Sequence, residues 1–176
     1  MSHLENLIIE YYRWCGCDVR HNQKVGPRER GGWEMELDVI VHDAKNSTLL
    51  HLEPSLDAMS WAKREARFTK KFEAGRKYIP TDIFPSVPSS VKLEQIAILI
   101  SAGPARQRLA GADVWTVDEM VARIRDSVRA KGIAARAAIP EQFPLLRTIQ
   151  FVTSGYYGVV EAAPEWANQT PETNRR

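Results

Sequence analysis

The chain has little cysteine, no long apolar run and no dominant charge. Cys15 and Cys17 are the only thiols among 176 residues. A single intervening residue makes a bridge between them awkward, and two thiols cannot complete a four-ligand zinc site. That argues against a disulfide scaffold and a zinc module, and a reducing cytoplasm is the expected compartment. No apolar run approaches the roughly 20 residues that a bilayer-spanning helix needs, so no membrane partner is expected. The opening residues MSHLENLIIEYYRW carry acids and no small-residue cleavage site, which predicts no secretory leader. Net charge is only +2, so the distribution of charge matters more than its sum. No internal repeat is visible.

What is present is an ordinary globular composition, 44% hydrophobic and 26% charged. The length suits one core, predicted as a single domain over 1–160. Residues 161–176, rich in Pro, Thr, Asn and Gln, are predicted to form an unstructured tail.

The most informative stretch runs from Trp33 to Asp57. A period of two places Trp33, Met35, Leu37, Val39 and Val41 on one face and Glu34, Glu36, Asp38, Ile40 and His42 on the other. Asp43 to Ser47 is turn-rich, and Thr48 to Glu53 follows as a second strand, so a hairpin is expected. Leu50 and Leu52 share one face of that strand; His51, Glu53 and Ser55 share the other. If the polar faces coincide, Asp38 and Glu53 lie side by side, with Glu36 and His51 within reach. Like charges across a strand pair are unfavourable. Taken alone, such a pair is most often the solvated side of an antiparallel sheet; the sharper reading is a hard divalent cation held by both acids.

The flanking segments have clear periods. Leu4 to Trp14 has helical spacing, with Ser2 as its cap, Glu5 completing a capping box and Gly16 as its stop. Asp18 to Val25 is a short strand, and residues 26–32 form a polar loop carrying Arg28 and Arg30. A long helix is expected from Ala58 to Ile79, stopped by Pro80. It holds seven basic residues against two acidic ones. On a helical wheel Trp61, Glu65, Phe68, Phe72, Gly75 and Ile79 form the packed face, Lys63, Lys70 and Lys77 point away, and Arg64 and Lys71 lie on the boundary. For the outer lysines a solvated face is the simplest account. Gln95 to Ser101 is a continuous apolar strand, covered on both faces. Arg106 and Arg108 fall in a loop before a last short strand, residues 113–117. Thr116 caps a helix from Val117 to Lys131, while residues 143–160 fit either helix or strand.

The order helix, three strands with an acidic hairpin, helix, strand resembles the αβββαβ core of the restriction-endonuclease-like fold, an α/β fold whose mixed central sheet is flanked by helices. The residues resemble those of the PD-(D/E)XK nuclease superfamily over about Leu4 to Val117. Asp38 matches the first motif acid and Glu53 the second, and Glu5 resembles the helix glutamate of archaeal Holliday-junction resolvases more closely than Glu10 does. Ser55 stands where the family has its lysine.

The resemblance implies a metal-dependent DNA endonuclease with Mg²⁺ or Mn²⁺ on Asp38 and Glu53, aided by the Pro54 carbonyl and a water held by Glu5. Lys71 would be the lysine migrated onto the helix, because Lys70 points away and a guanidinium is a poor proton acceptor. Ser55, Glu36 and His51 would support the ligands or position substrate, although a histidine beside carboxylates is as readily a hydrogen-bonding partner. Arg28, Arg30, Arg64, Arg67 and Lys70 would meet DNA phosphates. Two cuts in a duplex would favour a homodimer. The alternative implied by Ser55 is a catalytically inactive module of the same fold that binds nucleic acid or a protein partner.

Overall fold

The computed structural model describes residues 2–153. Its elements run α1 (His3–Trp14), β1 (Asp18–Pro27), β2 (Trp33–Asp43), β3 (Thr48–Ser55), α2 (Trp61–Tyr78), β4 (Leu93–Leu99), β5 (Arg108–Leu109), β6 (Ala112–Thr116), α3 (Val117–Lys131), α4 (Ala134–Ala137) and α5 (Pro144–Thr153). A mixed six-stranded sheet has the order β1-β2-β3-β4-β6-β5. Strands β1, β2 and β3 are antiparallel neighbours, β3 and β4 are parallel through the α2 crossover, β4 and β6 are parallel, and β5 closes the edge antiparallel to β6. The protein is therefore α/β, with helices on both faces of a mixed sheet. Among the described residues no helix is long and apolar enough to cross a membrane.

Local chemistry explains most of these boundaries. Ser2 Oγ accepts the Glu5 N–H at 3.2 Å to start α1, and Gly16, at φ 87°, supplies the left-handed turn after it. Thr116 and Glu119 form a reciprocal capping box on α3. The carboxylate of Glu10 accepts from the N–H groups of Leu145 and Leu146 and so caps α5. Residues 144–153 of the ambiguous segment are thus helical and Phe143 lies just ahead of the helix; residues 154–160 and the predicted tail lie outside the described residues.

One face of the sheet packs on α1, α3 and α5 through Leu7, Ile8, Val39, Val41, Leu52, Ile96, Ile98, Met120 and Ile124. The other packs on α2, with Phe68 and Phe72 against Ala97 and Leu99 and Ala74 and Ile79 against Val25, Leu37 and Ile40. Strand β4 is covered on both faces, as its unbroken apolar run requires.

Three expectations need correction. The face expected to hold Met35, Leu37, Val39 and Val41 together is divided: Leu37 joins the cluster under α2, whereas Val39 and Val41 face α1. The chain changes face where the β1–β2 ladder skips the Asn22–Asp38 pair and Asn22 adopts φ 50°. Helix α2 begins at Trp61, three residues later than its apolar spacing suggested, and Pro80 does not end it abruptly. One π-turn continues over Ile79–Ile83 with Pro80 in its first turn, and it closes with the Phe84 N–H bonded to the Ile79 carbonyl. Arg108 lies in β5 rather than in a loop.

Gly75 lies inside α2, where alanine normally gains about 1 kcal/mol over glycine. A Cβ here would stand 2.3 Å from His51 Nδ1 and 3.0 Å from Gln95 Nε2. Gly75→Ala is accordingly expected to lower stability by about 1–3 kcal/mol rather than raise it, read as a reduced midpoint in urea unfolding.

Candidate functional site

The site forms where β2 and β3 part. Their ladder runs from Asp43–Thr48 to Val39–Leu52; one step further, Asp38 and Glu53 would be the next pair. Instead the Asp38 N–H donates to the Glu53 carboxylate, Oε1, at 3.1 Å. Both side chains lie on the face covered by α2, and the Lys71 ammonium reaches them there. Its Nζ donates to Asp38 Oδ1 at 2.7 Å and makes a second, close contact with Glu53 Oε2. Lys71 is held there because Phe68 and Phe72, buried on either side of it in sequence, fix the rotation of α2.

Glu53 is almost wholly buried, and Asp38 and Lys71 are partly buried beside it. Burial and the neighbouring Glu53 charge push the Asp38 carboxyl up to about 7, against the opposing pull of Lys71. Burial opposes the charged form of Lys71, but the Glu53 and Asp38 charges outweigh it and raise its pKa. His51 is fully buried beneath them, its Nε2 2.8 Å from Glu53 Oε1. Burial, reinforced by the Lys71 charge, brings the imidazole down to about 3, so it is neutral at ordinary pH.

Ser55 is tied into a second cluster. It donates to Asp57 Oδ2 and accepts from Arg67 at 2.7 Å, so its hydroxyl is committed on both sides. Asp57 also pairs with Arg67 at 2.8 Å and Arg64 at 3.3 Å. Burial works against its ionisation, but the Ser55 and Met59 hydrogen bonds and the arginines hold its carboxyl down to about 2. Asp38, Pro54, Ser55, Asp57, Arg67 and Lys71 line a cleft of about 410 Å³, which Ser2 and Glu5 close from the start of α1.

Asp38, Glu53, Lys71, Ser55, Glu5 and His51 are therefore gathered in or directly beneath one cleft. Glu10 is outside it, occupied at the α5 terminus. Glu36 is exposed on β2, across from Lys24. Arg64 is 7% exposed, and its guanidinium is spent inward on Asp57, so it presents no outward cation. Arg67 is partly exposed at the cleft, while Lys70 is exposed beside Arg28 in a separate depression with Glu34, Glu73 and Lys77. Arg30 is exposed in the loop before β2. Two residues carry weight that the sequence reading did not give them. Asp57 anchors the basic edge of α2, and Gln95 bonds His51. Asp57 had a signal, a carboxylate two residues past the Ser55 that replaces a lysine; Gln95 had none.

No family model matches the chain, and no curated protein matches it either.

If the site held a metal, Asp38 and Glu53 are the side chains that would ligate it. Two carboxylates plus waters are an ordinary Mg²⁺ or Mn²⁺ arrangement, and one cationic nitrogen, Lys71 Nζ, already lies within hydrogen-bond reach of both acids. Among the described residues no cluster of three or more His, Cys, Asp or Glu could hold a metal, so Asp38 and Glu53 would be the only side-chain ligands of this kind.

The raised Asp38 carboxyl sets a pH dependence for the metal-free protein. Folding favours its protonated form, so that contribution is complete below about pH 4, the usual range of an unfolded carboxyl, and is lost as pH rises through about 7. In EDTA, wild-type stability is expected to fall between pH 5 and 8 relative to Asp38→Asn, which should be more stable by about 1–3 kcal/mol at pH 8. Parallel urea-midpoint curves for the two proteins would contradict this.

Proposed function

We propose that the protein is a metal-dependent endonuclease that hydrolyses DNA phosphodiester bonds, on a restriction-endonuclease-like αβββαβ core. The observation that carries the reading is the convergence of Asp38, Glu53 and Lys71 at the cleft where the hairpin strands part. The order α1-β1-β2-β3-α2-β4, with an antiparallel β1–β2–β3 meander and a parallel β4, accords with that core.

A divalent cation held by Asp38 and Glu53 would acidify a bound water and offset charge on the scissile phosphate. The chain's own groups do the rest. Lys71 supplies the positive charge that Ser55 cannot, close to both ligands and able to orient the attacking water. Glu5, on the cleft wall, would accept a hydrogen bond from a water entering there. Arg67 presents a partly exposed guanidinium to a phosphate oxygen while Ser55 and Asp57 hold its position. Lys70, Arg28 and Arg30 add sequence-independent, salt-sensitive attraction to the backbone. Arg64, being buried, is assigned to anchoring the segment before α2.

One observation favours a second reading. The Lys71 ammonium occupies the point where the two carboxylates converge and already offsets part of their charge. An ammonium that wins this competition would leave a nuclease-fold module that binds nucleic acid or a protein partner without cutting.

Plasmid nicking in Mg²⁺ or Mn²⁺ separates the two. The wild type is expected to nick, Asp38→Ala and Lys71→Ala to lose at least about a hundredfold in rate, and Lys63→Ala to stay near normal. Binding without nicking in either metal supports the inactive module, and equal losses in Lys71→Ala and Lys63→Ala would remove Lys71 from its role. Glu53→Gln is expected to weaken calorimetric Mn²⁺ binding about tenfold or more; an unchanged affinity would rule Glu53 out as a ligand.

A further inference from the structure

Behind the carboxylates runs a chain of polar side chains that the reading above does not use. His51 and Gln95 are paired in register on the adjacent parallel strands β3 and β4. The Gln95 amide lies 2.9 Å from the Phe72 carbonyl and 3.1 Å from His51 Nδ1 through the same atom, Nε2. Its other end, Oε1, accepts from Arg76 at 2.7 Å. A carbonyl only accepts and a guanidinium only donates, so both ends require the same amide orientation. The two N–H bonds of that nitrogen are then directed to the Phe72 carbonyl and to His51 Nδ1.

His51 Nδ1 is consequently an acceptor, and the imidazole proton lies on Nε2, 2.8 Å from Glu53 Oε1. The ring has no room to rotate away. The edge of Phe72 meets it at 5.4 Å between centroids, and the missing Cβ of Gly75 leaves just the space that Nδ1 fills. Glu53 Oε1 thus receives two donors, His51 Nε2–H and the Asp38 N–H. Its other oxygen, Oε2, is the one turned toward Lys71.

We propose that Gln95 and His51 are positioning residues that form a fixed relay: Gln95 sets the His51 tautomer, and His51 saturates Glu53 Oε1 so that Oε2 is presented to the cation site. The catalytic consequence rests on the nuclease reading, but the relay itself does not. A carboxylate with one oxygen satisfied from behind enters the site already aimed, which removes an ordering cost from cation binding.

The test uses the full-length, metal-free protein first. ¹⁵N NMR of His51 is expected to show Nε2 protonated and Nδ1 bare in the wild type. Gln95→Glu replaces the donor facing Nδ1 with an acceptor and is expected to move a proton onto Nδ1, a change that a packing role alone would not produce. Gln95→Leu removes the donor at a partly buried position and is expected to speed exchange of the Asp38 amide about tenfold relative to Val39 and Ile40, because Glu53 is no longer held. With Mn²⁺ added, the same variant should bind about three- to tenfold more weakly. A protonated Nδ1 in the wild type, or an Asp38 amide unmoved by both substitutions, overturns the relay. Failure of the wild type to bind Mn²⁺ or nick DNA overturns the nuclease reading instead, and the NMR results then decide the relay alone.

Discussion

Two carboxylates on neighbouring strands, one buried and one partly so, repel one another, and the rest of the structure is arranged around the ammonium that holds them together. The Asp38–Glu53 step cannot continue the ladder, so the strands part, and Glu53 takes the free Asp38 N–H. Parting the strands opens the cleft, and closing its far wall needs the start of α1 with Ser2 and Glu5. The rotation of α2 is then constrained: Phe68 and Phe72 must be buried while Lys71 reaches forward between two acids. Asp38 remains incompletely compensated, as its raised carboxyl shows.

Helix α2 carries this arrangement along one edge. Arg64, Arg67 and Lys71 follow a spacing of three and four residues and therefore form one ridge. Each meets an acid from the segment before the helix or from the hairpin: Arg64 and Arg67 meet Asp57, and Lys71 meets Asp38 and Glu53. The ridge is thus largely internal, a charge-matched seam between helix and sheet. Lys63, Lys70 and Lys77 remain outside, exposed on the outer face of the helix.

The same seam explains why buried charged groups are concentrated under this helix and not on the opposite face of the sheet, where the buried polar side chain among the described residues is the neutral Gln150. There α1, α3 and α5 cover aliphatic side chains and the described residues show no buried ion pair. On the α2 side His51, Glu53, Ser55 and Arg64 are all buried. Each has a partner, so the desolvation cost is offset by hydrogen bonds rather than left uncompensated.

What could be read from the sequence was what depends on near neighbours. Alternation along Val39 to Glu53, the Phe68–Phe72 spacing, the Thr116 cap and the apolar run of β4 are local patterns, and each gave its element. The convergence of Asp38, Glu53 and Lys71 was legible too, since a strand period and a helix wheel place all three on facing surfaces. The face of Leu37 was not, because the switch comes from a skipped pair with Asn22 on another strand. Neither was the burial of Arg64 or the bond from Gln95 to His51, a contact across 44 residues. Periodicity assigns a side chain to a face; which group meets it there, and whether its charge is already answered, is decided only when distant segments are packed together.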